Sequence, residues 1–292
     1  MLSPSAGSEP LSLQPLLQAG VATDGARGGP LPEILRVRYG SDLAIPLRTD
    51  RPTVVSNFVS TLDGVVSYNT PEGAGGGEIS GFFEPDRFVM GLLRSLADVV
   101  LIGAGTFNAA PHEAWTPDFI HPPSSLPFAA LRRRLGLRPS PATAVVSGSG
   151  SIDLAHPAFG DPGVEMIVIT TDAGVKRLAG QRVRTRADIR SMGDRVEPHD
   201  IIETLVYHGA ELVLCEGGPH LLGHLLAARM VDELFLTLAP QIAGRSALVP
   251  RLSLVEETAF RLSDARWGRL ADLRTAGDHL FARYRLTEGR HT

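Results

Sequence analysis

The segment Leu212-Val213-Leu214-Cys215-Glu216-Gly217-Gly218-Pro219 carries the strongest chemical signal in the sequence. An apolar run of strand type ends on an acid, two glycines follow, and a proline stands where a helix would begin. Glycine lets backbone come close to a bound group, and the first turn of a helix presents unpaired N–H groups with partial positive charge, so the arrangement suits a phosphate. Proline at the first helical position removes a donor that has no partner within the helix. Glu216 would then stand at the carboxyl end of a strand, where open α/β sheets bind ligands. The same glycines would equally serve an ordinary tight strand-to-helix turn.

Ile102-Gly103-Ala104-Gly105-Thr106 is a second glycine-bearing strand end. It begins like a dinucleotide fingerprint, but Asn108 occupies the third glycine position and the acid expected about 20 residues later is absent. Alone it reads as a loop; beside the first segment it makes a two-part phosphate site. In Asn57-Phe58-Val59-Ser60-Thr61-Leu62-Asp63-Gly64 a strand runs into polar residues and an Asp-Gly pair, a common turn. The run Glu72 to Gly77 predicts a mobile glycine loop, a candidate lid, and lacks the Lys-Ser/Thr ending of a P-loop. Neither H-E-x-x-H nor G-x-S-x-G occurs, and the nine histidines are scattered. His220 and His224 share a helix face without a third ligand nearby, so no metal is expected.

Elements that would position these groups follow from hydrophobic period. Short Val- and Ile-rich runs predict strands at Thr53 to Val59, Val99 to Ile102, Ala144 to Ser147, Met166 to Thr170, Leu212 to Cys215, Glu233 to Leu238 and His279 to Leu286. Asp86 to Leu96 and Pro219 to Met230 have helical period, the first with Phe88, Leu92, Leu93 and Leu96 on one face. Alternation of this kind predicts an α/β domain on a mostly parallel central sheet flanked by helices. No helix of useful length separates the last two strands, which predicts an antiparallel C-terminal strand. Residues 1–50, rich in Ser, Gly, Pro and Ala, predict an N-terminal extension, partly disordered and partly draped over a domain at 51–288, with Leu11 to Leu17 and Ile34 to Tyr39 as apolar anchors.

The 292 residues are 43% hydrophobic and 21% charged, enough for a large core, and 28 basic against 32 acidic side chains give −4. That balance speaks against a nucleic-acid surface. A single cysteine, Cys215, excludes an internal disulfide and a multi-cysteine zinc site. Apolar runs fall short of the roughly 20 residues of a membrane span, and no secretory leader pattern opens the sequence, so a cytoplasmic setting is expected.

Asn57-x-x-x-Thr61-Leu62-Asp63-Gly64, then Asp86 to Leu96 running into Asp98-Val99-Val100-Leu101-Ile102-Gly103-Ala104-Gly105-Thr106, then Glu216-Gly217-Gly218-Pro219-x-Leu221-Leu222-Gly223 and Val231 to Pro240 resemble, in order and spacing, the pyrimidine reductases of riboflavin biosynthesis. The resemblance spans about residues 51–286. It is to the reductase domain of the bifunctional deaminase-reductase, in the form of an actinobacterial-type standalone branch.

The resemblance implies a dihydrofolate-reductase-like fold, a homodimer, NADPH as cofactor and 5-amino-6-(5-phosphoribosylamino)uracil as substrate. Carried over by position, Gly103, Gly105, Thr106, Ser147, Gly217, Gly218, Pro219, His220 and Leu221 would contact NADPH. Asn57, Thr61, Asp63 and Glu216 would line the substrate, with Asp63 and Glu216 as the catalytic candidates. Ser147, Ser149, Thr171, Lys176 and Arg177 are candidates for the 2′-phosphate. The family's Ala-Asp-x-Pro after the glycine-threonine turn is replaced by Ala109-Ala110-Pro111-His112-Glu113, so an acid is missing from its usual place. The branch leaves dihydrofolate or another pterin as an alternative substrate, and a non-catalytic NADPH-binding protein as an alternative of another class.

Overall fold

The computed structural model describes residues 11–18, 24–70, 75–181 and 187–287. One ten-stranded sheet organises them. From edge to edge its strands are Gln14–Gln18, Trp267–Ala276, His279–Thr287, Glu233–Leu238, Thr53–Ser60, Leu212–Cys215, Val99–Gly103, Ala142–Ser147, Met166–Thr170 and Asp188–Ser191. From Glu233–Leu238 to Asp188–Ser191 every neighbouring pair is parallel; His279–Thr287, Trp267–Ala276 and Gln14–Gln18 add antiparallel pairs. The expected fold class is thus the one observed, including the antiparallel C-terminal strand. The strand Glu233–Leu238 lies inside the sheet: the later hairpin and the early strand Gln14–Gln18 add outside it.

Alternation along the strands divides the core into two layers. Val55, Val100, Ile102, Leu214 and Phe235 face the helix Glu84–Leu96, meeting its Phe88, Leu92 and Leu96. Val54, Leu101, Val213 and Cys215 face the helices Pro198–Tyr207 and Pro219–Ala227, meeting Ile201, Leu205, Leu221 and Leu225. Burying apolar side chains on both faces is what lets central parallel strands be nearly uninterrupted runs of Val, Ile and Leu.

Leu13, Leu31, Leu35, Tyr39, Leu43 and Ile45, from the region expected to be an extension, are part of this core. The helix Glu33–Tyr39 buries Leu35 and Tyr39, and the strand Leu43–Pro46 buries Leu43 and Ile45. Arginines fasten this segment. Arg27 pairs with Asp98 and Glu211, Arg274 donates to the Tyr39 carbonyl and to Ser41, and Arg283 reaches the Ala44 carbonyl. Residues 1–10 and 19–23, and Glu72 to Ala74 of the expected lid, lie outside the described residues; Gly77 begins a short helix, Gly77–Ser80. Among the described residues no helix is long and apolar enough to cross a membrane.

Candidate active site

Two parallel strands, Val99–Gly103 and Leu212–Cys215, are hydrogen-bonded neighbours, so their glycine turns emerge side by side. A Cβ on Gly217 would stand 2.4 Å from the Gly103 nitrogen and from the Ile102 Cα, so only glycine allows this approach of backbone to backbone. Thr106 locks the turns together: its Oγ1 accepts a 2.8 Å hydrogen bond from the Gly218 N–H. Space beside Gly105 is open. Pro219 is buried as the first residue of its helix and Leu221 packs toward Gly103, while His220 is exposed and faces Glu257 at 3.6 Å. The two sequence segments therefore form one cradle of glycine backbone and a hydroxyl, a shape that fits a pyrophosphate.

From this cradle the helix Ala104–Ala109 leads to a cleft of about 470 Å³ lined by Asn108, Ser151, Asp153, His156, Arg177 and Gln181. Asn108 donates to the Ser151 carbonyl at 2.8 Å. Ser147 is buried at its strand end, its carbonyl accepting from Thr170 at 2.5 Å, and Thr171 caps the helix Asp172–Leu178. Among the candidates for an extra phosphate, Arg177 is the one that lines the cleft.

Glu216 follows Leu214 on the face toward the helix Glu84–Leu96, and its side chain is 5% exposed. Arg94, fully buried on that helix, donates from Nε to both Glu216 oxygens at 3.1 Å and from a terminal nitrogen at 2.7 Å. The same guanidinium meets Glu113 at 3.0 Å and the carbonyls of Ala114 and Thr116 at 3.3 Å. Burial works against charge on Arg94, but Glu216 and Glu113 outweigh it and hold its pKa above the usual value. Burial pushes the Glu216 carboxyl up against the opposing pull of Arg94. The loop that lacks the expected acid thus supplies Glu113 to the site instead.

Asn57 lies in the row next to Glu216: Cys215 pairs with Ser56, and Phe235 with Asn57 on the other side. It is buried on the same face as Val55. Asp86, on the first turn of the helix Glu84–Leu96, is also buried, with the Thr237 and Ser80 hydroxyls as hydrogen-bonding neighbours. Burial raises its carboxyl to about 6, and the nearby Glu216 charge adds to the rise.

Thr61 and Asp63 are held differently. Thr61 donates to Asp63 at 2.6 Å and accepts from the Val65 N–H. Asp63 also accepts from the N–H groups of Ala243 at 3.1 Å and Gly244 at 2.7 Å. These hydrogen bonds, that of Thr61 first, pull its carboxyl down to about 2, so it is an ionised staple for the loop around residue 243. The structure brings Asn57 and Glu216 together and gives Asp63 to this loop. Sequence reasoning missed Arg94, Asp86 and Glu113. Two charges bordering the apolar face of an amphipathic helix, at positions 86 and 94, were the available signal.

Residues 52–271 match the RibD C-terminal domain family, and the chain belongs to it. Two curated relatives carry the name 2,5-diamino-6-ribosylamino-4(3H)-pyrimidinone 5′-phosphate reductase. The one from Methanothermobacter thermautotrophicus is 28% identical over 236 residues, covering 80% of this chain and 98% of the relative. The one from Archaeoglobus fulgidus is 24% identical over 195 residues, 66% of this chain and 83% of the relative. A pyrimidine reductase-like protein from Corynebacterium diphtheriae shares the fold, with a TM-score of 0.66 at 20% identity over 87% of this chain and 99% of that one. The family expected from the motifs is therefore the family found.

Proposed function

We propose that the chain is an NADPH-dependent reductase of a phosphoribosylaminopyrimidine, adding hydride to C1′ of the ring-opened ribosylamine. The observation that carries this reading is the joining of the two glycine turns through Gly217 and Thr106, one residue from the carboxylate that Arg94 holds. The names of the two archaeal reductases support the substrate class. The nicotinamide of the bound cofactor would supply the hydride.

Residues of the chain do the rest. The Thr106 hydroxyl, which accepts from the Gly218 N–H and keeps its own proton to donate, and the glycine turn beside it would receive the pyrophosphate, with Gly105 leaving room; the cleft with Arg177 would take the adenosine end and its 2′-phosphate. Arg94 fixes both oxygens of Glu216, so that carboxylate presents its remaining lone pairs in one direction, suited to holding a sugar hydroxyl or steadying the protonated nitrogen of the C=N group. Hydride transfer depends chiefly on close, dry alignment, which the carboxyl ends of central strands under a buried helix provide.

A homodimer in a cytoplasmic setting belongs to the same reading. Leu234, Leu236 and Leu238 alternate with the buried side of their strand and remain half-exposed, next to Leu280 and Tyr284, and this apolar row supports a second copy packing there. Light scattering at micromolar concentration should give about 62 kDa, twice the 31.2 kDa chain; a mass near the single chain refutes the dimer.

The test of the activity is NADPH oxidation followed at 340 nm, an absorbance of the cofactor itself, with ribosylaminopyrimidine phosphates and dihydrofolate compared side by side. Oxidation with the pyrimidine supports the proposal. Oxidation with dihydrofolate alone would make the enzyme a pterin reductase, and binding without oxidation would make it a non-catalytic binder.

A further inference from the structure

The strand Trp267–Ala276 carries a bulge between Leu270 and Asp272, where its register against His279–Thr287 shifts. A bulge breaks the alternation of a strand and re-aims the side chains that follow it. Here Asp272 and Arg274 fall in step with Ala276 of the core and are buried with it. Their pairing is one-sided. Arg274 directs Nε and a terminal nitrogen to a single oxygen, Asp272 Oδ2, at 3.1 and 2.6 Å. The other oxygen, Oδ1, is buried and accepts no hydrogen bond among the described residues. Buried acids elsewhere engage both oxygens, Glu216 on Arg94 and Glu233 on Arg283.

Asp272 borders a cavity of about 10 Å³, with Tyr39, Asn57, Val89, Thr237 and Arg274 around it. Asn57 and Thr237 come from adjacent central strands, Val89 from the helix Glu84–Leu96, and Tyr39 from ahead of the residues that match the family. Such a volume is the room of one water. An ionised carboxylate oxygen only accepts, so the occupant must donate. A cation would meet the guanidiniums of Arg274 and Arg283 on the same wall, and an anion would meet Asp272. A small neutral donor satisfies all of them. Asn57 reaches the same space with an amide that, among the described residues, has no hydrogen-bond partner.

We propose that this cavity binds one ordered water, which donates to Asp272 Oδ1 and bonds the Asn57 amide, holding that side chain in place for the substrate. The proposal rests on the reading of Asn57 as part of the substrate pocket and deepens it: Asp272 becomes a positioning residue, acting on the substrate through the water and Asn57. Water bridges of this kind are nearly as favourable as direct hydrogen bonds, and losing one leaves its polar partners unanswered. Through Tyr39, the segment ahead of the family domain closes the rear of the pocket.

A crystal structure of the full chain, at a resolution that shows ordered water, tests the site whatever the substrate. One density peak within about 3.2 Å of both Asp272 Oδ1 and an Asn57 side-chain atom is expected. Side chains packed into that space, or a peak that touches neither group, overturns the site.

Two changes at Val89 then separate positioning from stability. Val89→Leu adds a methylene beside the cavity without a helix-propensity penalty, and should displace the water. It should raise KM for the pyrimidine nucleotide about tenfold, with kcat within about threefold and the NADPH dissociation constant unchanged. Val89→Ala enlarges the cavity and keeps the water; it should be the less stable variant and yet retain the parent KM. A parent-like KM in Val89→Leu with the water displaced overturns the positioning role, as does a KM that rises in Val89→Ala with the water still in place. Should Val89→Leu fail to fold, the parent density and the Val89→Ala KM decide. Absence of turnover with every pyrimidine removes the reductase reading and the positioning role together, while the density still decides the water.

Discussion

Buried arginines in this molecule fall into two kinds. Arg132 donates to the carbonyls of Arg94, Ser95 and Ala97 at 3.0, 3.3 and 2.8 Å, closing the end of the helix Glu84–Leu96, and burial lowers its pKa to about 10. Arg274 holds Asp272 at 2.6 Å, Ser41 at 2.7 Å and the Tyr39 carbonyl, with its guanidinium over the Tyr39 ring. Both are completed by their own chain. Around Arg94 the balance is different: Glu113 and Glu216 share one base, and Asp86, near the like charge of Glu216, is in no ion pair among the described residues. Buried charge that is fully answered belongs to architecture; an excess of one sign beside the glycine turns is what the proposed site would have a ligand complete.

Replacing one arginine of each kind gives the sharpest contrast. Arg94→Met should leave Glu216 and Glu113 without their cation, destabilise the chain by about 3–5 kcal/mol and lower kcat/KM by roughly a thousandfold in whatever remains folded. Arg274→Met should destabilise comparably while the folded fraction, measured by active-site titration, keeps kcat/KM within about threefold. Equal activity losses per folded molecule would erase the distinction.

Asp86 probes the same imbalance through pH. Its carboxyl titrates at about 6 in the fold against 3.8 in the reference state. The native state therefore holds the proton more tightly, and stability falls as pH rises from about 4 to 6, the loss being complete above that. Asp86→Asn should be more stable than the parent by roughly 3 kcal/mol at pH 7 and gain nothing below about pH 4, read from urea melts at both pH values. A constant difference across pH would mean that the acid is not strained by burial.

Gly218→Asp places a negative side chain beside Thr106 where an anion would approach. It should weaken NADPH binding by about a hundredfold, roughly 2.7 kcal/mol, with near-UV circular dichroism unchanged. An unaltered dissociation constant removes the phosphate from the cradle. The smallest effect is expected at Arg177, half a cofactor away. Arg177→Ala should reduce the preference for NADPH over NADH by about tenfold at low salt, and the parent's preference should itself weaken above an ionic strength of about 0.15 M. Equal efficiency with the two cofactors in the parent would dismiss the cleft as the 2′-phosphate pocket.

Much of the fold was legible because central parallel strands are covered on both faces. Met166–Thr170 and Leu212–Cys215 were readable to the residue as nearly uninterrupted apolar runs. Trp267–Ala276 was not: its Asp272 and Arg274 read as solvated, yet both are buried because they neutralise each other. Gln14–Gln18, exposed along its whole length, has no apolar pattern to betray it. The cradle was visible because close backbone approach admits only glycine. Arg94 and Asp86 were hidden since charge on a helix ordinarily signals water, and Glu113 because a loop carried the acid past its expected position.

The pairing of Gln14–Gln18 with Trp267–Ala276 bears on how the chain folds as it is made. Tyr39 leaves the ribosome 235 positions ahead of Arg274, the residue that grips its carbonyl. At a synthesis rate of about 5–20 residues per second, the early segment waits at least about ten seconds for its partner, with apolar Leu35, Leu43 and Ile45 uncommitted. Closing so long a loop comes late in folding. Translation speed and chaperone occupancy at these early residues should therefore govern the yield of native protein more than substitutions among the central strands of comparable equilibrium effect.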